Sequence, residues 1–277
     1  MDRETKETAP EPLFVIRGLC KLFPGSGGGK AGGRADDSTA ALDGVDLDIH
    51  RGECLLIAGS NGSGKTILMR IMAGLLEASG GSIRYKGNDL AWALKPSGEK
   101  TFRRELGIVF QDPDAQFVGE TVEQDAAFGP LNLGMDKTES RRRGKAALEK
   151  TGLWEKRNLT PRRLSGGEKR RLALAGVLAS GCETIIMDEP FANLDWPGVV
   201  QVLTIIKTLK AEGTTLVILT HELEKVLALA DRLLILHRGR VRDNGPSEEV
   251  LGRLQNEYGV RDPRQSYTSI KDCSWLP

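Results

Sequence analysis

The sequence predicts an α/β protein: a parallel sheet flanked by helices and interrupted by a mainly helical insert. Three observations carry that expectation. Toward the C-terminus, apolar strands alternate with helical segments, at Thr184 to Asp188, 198–211, Thr215 to Thr220, 222–230 and Leu233 to Leu236. Such alternation argues for a parallel sheet covered on both faces. Between about 112 and 181 the pattern turns helical, most clearly at Thr138 to Thr151 and Gly166 to Ala179. The third observation is the apolar run Cys54 to Ala58, which turns through Gly59-Ser60-Asn61-Gly62-Ser63-Gly64-Lys65-Thr66 into the apolar, helix-like Ile67 to Met72.

In chain order, residues 1–11 are polar and read as a disordered lead. Leu13 to Leu19 is an expected strand. Gly25 to Ser38 holds Gly25, Gly27, Gly28, Gly29, Gly32 and Gly33. It cannot offset its ordering entropy with buried surface, so it reads as a flexible surface loop. It also lacks the G-K-[ST] ending of a phosphate loop. Leu42, Val45, Leu47 and Ile49 are interleaved with Asp43, Asp46 and Asp48, a half-buried strand pattern. Lys65 to Leu76 has helical spacing, and Ser82 to Lys86 and Leu106 to Phe110 are further strands. The polar tail Arg261 to Pro277 shows no usable periodicity. The expected organisation is therefore a lead at 1–11, one domain at 12–250 with a helical subdomain at about 112–181, and a C-terminal tail at 251–277.

Composition narrows the function classes. The chain has 277 residues, 39% hydrophobic and 28% charged, and a formal charge of +1. That balance makes no overall electrostatic case for nucleic acid, and the basic runs Arg141 to Arg143 and Lys169 to Arg171 read as solvated helix faces. Cys20, Cys54, Cys182 and Cys273 are scattered, without metal-ligand spacing, so reduced thiols are expected. Met1 to Pro10 has no apolar h-region, which predicts no secretory signal. No apolar run approaches the ~20 residues of a membrane helix. Work at a membrane would go through a partner.

The chemistry rests on three stretches. The spacing G-x-x-x-x-G-K-[ST], between a strand and a helix, lets successive backbone N–H groups converge on phosphates at a helix N-terminus. Lys65 would reach the β and γ phosphates and the Thr66 hydroxyl would ligate Mg²⁺. Thr184 to Asp188 is an apolar strand ending in the acids Asp188 and Glu189, where open α/β sheets carry their site groups. Asp188 would hold Mg²⁺ through its water shell, and Glu189 would polarise the attacking water. In Leu164-Ser165-Gly166-Gly167-Glu168 a serine and two glycines open a helix, which makes a second anion-binding terminus. Two phosphate-type sites with one acid pair suggest pairing between two copies or two related chains.

Over roughly residues 13–250 the sequence resembles the ATP-binding cassette (ABC) ATPases. Gly59 to Thr66 matches the family's Walker A, Ile185 to Asp188 with Glu189 its Walker B, and Leu164 to Glu168 its signature motif. Gln111 falls on the Q-loop glutamine, which meets Mg²⁺ and water; Ala192 to Asp195 on the D-loop; and His221 on the switch histidine. Phe23 matches the aromatic that stacks on adenine. The resemblance implies a P-loop NTPase core with an antiparallel β subdomain near the N-terminus and a signature-bearing helical insert. It implies ATP and Mg²⁺ as cofactors. It further implies two cassettes closing head to tail, with Ser165 and Gly167 of one on the γ-phosphate held by Lys65 of the other. Gly107 to Gly119, Thr121 to Glu123 and Ala127 to Gly129 are similar to the ATPases of energy-coupling factor importers for vitamins or transition-metal ions. That narrower likeness implies as partners a second ATPase subunit, identical or related, a transmembrane coupling subunit and a substrate-capture subunit, at the cytoplasmic face of the membrane. It puts Gln116, Phe117 and Val118 near the groove for the coupling subunit. Other readings are a conventional ABC importer or exporter ATPase, a soluble cassette ATPase acting on nucleic acid or ribosomes, and a docking subunit without turnover.

Overall fold

The computed structural model describes residues 12–24, 38–93 and 95–264. The expected lead at 1–11, the glycine-rich stretch at 25–37 and the tail from 265 onward, Cys273 included, lie outside the described residues.

The elements in chain order are β1 (Phe14–Pro24), β2 (Ser38–Ile49), β3 (Cys54–Ala58), α1 (Lys65–Met72), β4 (Gly80–Tyr85), β5 (Asn88–Asp89), α2 (Leu90–Ala93), α3 (Pro96–Glu105) and β6 (Leu106–Val109). There follow α4 (Val122–Asn132), α5 (Lys137–Lys150), α6 (Gly166–Ser180), β7 (Thr184–Asp188), α7 (Trp196–Ala211), β8 (Thr215–Thr220), α8 (Leu223–Val226), β9 (Arg232–His237), β10 (Arg240–Pro246) and α9 (Ser247–Gly252). Among the described residues two sheets form, ordered β2-β1-β4-β5 and β10-β9-β3-β8-β7-β6. The first is antiparallel. The second is parallel from β9 to β6, with β10 added antiparallel at its edge.

In the larger sheet, every residue of β3, β7 and β8 is buried, as expected where helices or sheets cover both faces. The alternation of side chains divides these strands between two cores. Leu55, Ile57, Val217 and Leu219 face a cluster shared with α1 and the N-terminal sheet. Leu56, Ala58, Leu216 and Ile218 face one built with α6, α7 and α9. The region 112–181 has a small core of its own, in which Val122 and Ala126 of α4 meet Ala147 and Leu148 of α5 and Leu172 and Ala175 of α6.

Several boundaries differ from the sequence expectation. β1 runs on to Pro24 as the partner of β2. α1 stops at Met72, short of Leu76, because Gly74 turns the chain at φ +67°. The expected helix at 222–230 is only α8 followed by a tight turn at Leu227–Leu229. α3 and β10 were not expected. α3 is polar apart from the buried Phe102, and β10 alternates only between half-buried and exposed positions, so neither shows an apolar period.

Candidate functional site

Parallel register sets one edge of the larger sheet level. Ala58 of β3 pairs with Thr220 of β8, and Leu219 of β8 pairs with Asp188 of β7. The chain therefore leaves the sheet at Gly59, His221 and Glu189 side by side, the usual site of ligand chemistry in open α/β sheets.

Glycine is required in the loop after β3 by close approach. A Cβ on Gly59 would stand 2.2 Å from the Leu236 carbonyl, and one on Gly64, at φ +107°, would stand 2.6 Å from that of Ala41. The loop is thus clamped between the β9–β10 turn and β2, and the Gly239 N–H donates to the Ser63 carbonyl at 2.9 Å. Lys65 opens α1 and is only 5% exposed. Its ammonium donates to the carbonyls of Gly59 at 2.7 Å and Ser60 at 3.3 Å, and lies 3.8 Å from Glu189 Oε1. Burial pulls the Lys65 pKa down, with Glu189 and Asp188 opposing. The Ser63 hydroxyl is buried without a partner.

At the end of β7 the two acids diverge. Asp188 Oδ2 accepts the Thr66 hydroxyl at 2.9 Å, while Oδ1 is buried with no partner. Burial pushes the Asp188 carboxyl above its usual range, against the Thr66 hydrogen bond. Glu189 takes φ +47°, a left-handed conformation costing a non-glycine residue about 1–3 kcal/mol. That turn points its carboxylate back over the sheet edge, where Oε2 accepts the Thr220 hydroxyl at 2.9 Å and Oε1 meets His221 Nδ1 at 2.9 Å. A hard cation fits beside Asp188, since a buried carboxylate oxygen and an adjacent hydroxyl form an oxygen donor set with one lone pair site unmet.

The second anion-type terminus is built differently. Ser165 caps α6: its hydroxyl accepts the Glu168 N–H at 3.4 Å, and Glu168 Oε2 accepts the Ser165 N–H at 3.0 Å, a capping box. Lys156 pairs with the other Glu168 oxygen. Ser165 and Gly166 are exposed. A Cβ on Gly166 would meet nothing within 4 Å, and one on Gly167 would meet only Leu194. Among the described residues, the polar groups of the cap, Ser165 and Glu168, bond to each other and to Lys156 and not to the loop after β3.

Two expected residues stand at the rim. Gln111 follows β6, which pairs with β7, so its backbone joins the same edge while its side chain is exposed. Phe23 pairs across β1 and β2 with Thr39, two residues from the Ala41 that touches Gly64, and its half-exposed ring has the Lys21 ammonium 5.3 Å from its centre.

Other residues depart from the sequence reading. Arg170 is not on a solvated face: it is 4% exposed, and its guanidinium donates to the carbonyls of Phe110 at 3.3 Å, Gln111 at 3.0 Å and Ala192 at 3.4 Å. The signal was present, because Arg170 falls at helical spacing with the buried Ala173, Leu174 and Val177. Gln116 turns inward, its amide accepting the Phe110 N–H at 2.9 Å and donating to the Ile108 carbonyl at 3.0 Å. Phe117 packs between two cores, and Val118 alone of the three stays open, at 63% exposure. Thr220, which orients Glu189, was not among the expected site residues; a hydroxyl closing the apolar run Leu216 to Leu219 was its one sequence mark.

With that geometry in hand, the chain can be set beside known proteins. The family pattern described as ABC transporter matches residues 42–192. An energy-coupling factor transporter ATP-binding protein, EcfA1 of Clostridium novyi, is 40% identical over 83% of this chain and 82% of its own length. EcfA of Methanocaldococcus jannaschii is 36% identical over 84% of each. Among solved structures, cbiO1 of Clostridium perfringens, described as part of the ABC transporter complex cbiONQ, matches with a TM-score of 0.73 and 32% identity, covering 87% of this chain and 91% of that one.

Proposed function

The chain belongs to the ABC transporter family and is an ATPase, and from that premise we propose that it powers an energy-coupling factor importer for a vitamin or a transition-metal ion. In this reading residues 12–250 are one nucleotide-binding domain, peripheral at the cytoplasmic face of a membrane. It pairs with a second ATPase subunit, identical or related, and works with a transmembrane coupling subunit and a substrate-capture subunit. The likeness over more than four-fifths of the chain to proteins named EcfA supports the importer class. Among the described residues no helix is long and apolar enough to cross a membrane, which leaves that task to the partners.

The residue roles follow from the site. Backbone N–H groups of Gly62 to Lys65 cradle the phosphates, and Lys65 exchanges the carbonyls of Gly59 and Ser60 for β- and γ-phosphate oxygens. Thr66 and Asp188 hold Mg²⁺, with Gln111 reaching it from the rim; the ion supplies charge neutralisation on the phosphates. Glu189 Oε1 orients the attacking water and takes its proton, and His221, already at that oxygen, bridges toward the γ-phosphate. Phe23 stacks on adenine. Ser165 to Glu168 serve the ATP of the facing subunit, and closing that sandwich is the mechanical output.

The single observation behind the pairing is the contrast between a buried acid pair and an outward-facing Ser165–Gly167 terminus. Glu189→Gln should lower turnover ~10²- to 10⁴-fold with ATP still bound. In size-exclusion runs with Mg²⁺ and ATP, the variant should elute as a dimer. A monomer with bound ATP would remove dimer closure from the reading. Purification of the tagged chain from its native membrane, followed by identification of the membrane proteins that accompany it, tests the importer class.

A further inference from the structure

Arg170 carries a charge in the interior and meets carbonyl oxygens in place of a carboxylate. Burying a charge without direct pairing is costly, and an apolar residue of similar size on that face of α6 would often serve stability as well or better. The arginine therefore does something that packing does not require. Its charge is balanced at longer range by Asp188, Glu189 and Asp112, and its fork of donors joins its own helix to the segments after β6 and after the acid pair. Phe110 and Gln111 follow β6; Ala192 follows the acid pair; Arg170 itself is one and a half turns into the helix that begins at Ser165.

Phe110 is also held through its N–H. Gln116 takes the Phe110 N–H while Arg170 takes the Phe110 carbonyl, so both polar groups of the residue before Gln111 are fixed by side chains. Next to Arg170, Lys169 pairs with Asp114 at 2.8 Å and ties the start of α6 to the turn that carries Gln116.

We infer that Arg170 is a positioning residue for ATP hydrolysis: its guanidinium locks the backbone at Gln111 and Ala192 to the helix that begins at Ser165, so that the three segments shift together. The inference rests on the proposed roles of Gln111 and Ser165. Nothing about it requires Arg170 to touch nucleotide, and the phosphate loop is anchored separately through β2 and the β9–β10 turn. Loss of the lock should therefore impair turnover without impairing ATP binding.

The test compares the full-length chain with Arg170→Met and Arg170→Lys, measuring kcat, KM for ATP, and amide hydrogen exchange with and without ATP. Arg170→Met is expected to lose on the order of tenfold or more in kcat, with KM within about twofold of the parent. Exchange at 110–112 and 191–193 should quicken, and ATP should no longer protect both segments together. Arg170→Lys keeps the charge and one donor direction, so it should fall between the two; should the methionine variant not fold, the lysine variant carries the test alone. Unchanged kcat in a folded variant, equal losses in kcat and in ATP affinity, or unchanged exchange at both segments overturns the inference. If the parent chain itself does not hydrolyse ATP, the proposed function fails, and the exchange data still decide whether Arg170 links the segments.

Discussion

At the sheet edge, Lys65, Asp188 and Glu189 are each at most 5% exposed, and their polar atoms are bonded inward or, like Asp188 Oδ1, left orphaned in the interior. At the start of α6, Ser165 and Gly166 are exposed, and the capping groups of Ser165 and Glu168 bond to each other and to Lys156. Both places answer the same sequence logic, a small-residue run opening a helix that can meet an anion. The difference lies in what surrounds them. Buried, partly unmet charge is held in readiness for a ligand that enters the chain, whereas an open, self-satisfied terminus with room beside its glycines suits a ligand brought up from outside. The contrast supports reading the first as a site within the subunit and the second as half of a site between subunits.

Changing the buried side should have the largest effect. Lys65→Met removes charge-assisted hydrogen bonding to the phosphates; losing one such bond, worth about 1.5–3 kcal/mol, would lower ATP affinity about 10- to 100-fold by isothermal titration; retained affinity would break the contrast at its stronger end. A smaller effect is expected at the open side. Gly166→Arg points into free space at an ordinary helical φ, so the variant should fold, keep its melting temperature and bind ATP like the parent. Its turnover should nonetheless drop on the order of tenfold, because the bulk intrudes on a facing subunit. Normal turnover would make the terminus a plain helix start.

The smallest effect concerns Asp188 in the absence of nucleotide and Mg²⁺. Burial raises its folded-state pKa above the unfolded value, so the folded chain keeps a proton at pH values where the unfolded chain has lost it. Stability contributed by this group is then lost as pH rises between the two values. Asp188→Asn, whose amide oxygen can still accept the Thr66 hydroxyl, should be slightly more stable than the parent at pH 7 by thermal melts. The gap should close as pH falls below the usual carboxylate range. A gap that widens on acidification would contradict the burial argument.

Fold and site were legible in the sequence to different depths. The fully buried strands β3, β7 and β8 were recognisable because burial on both faces demands an unbroken apolar run. Polar α3 and edge strand β10 carry no such mark and escaped notice. The turn at Gly59 to Thr66 could be read because it is local: a strand, a glycine-spaced loop and a helix start follow one another within a few residues.

What the sequence determined by itself, then, was the set of segments whose local structure is contained in a few consecutive residues: the turn from β3 into α1, the acid pair closing β7 and the capped start of α6. Tertiary structure alone decided that β8 lies between β3 and β7, which brings Thr220 and His221 onto Glu189. It also decided that Arg170 is turned away from water and onto Gln111 and Ala192. Those pairings join residues up to tens of positions apart, and hydrophobic periodicity records which way a side chain faces without recording what it faces.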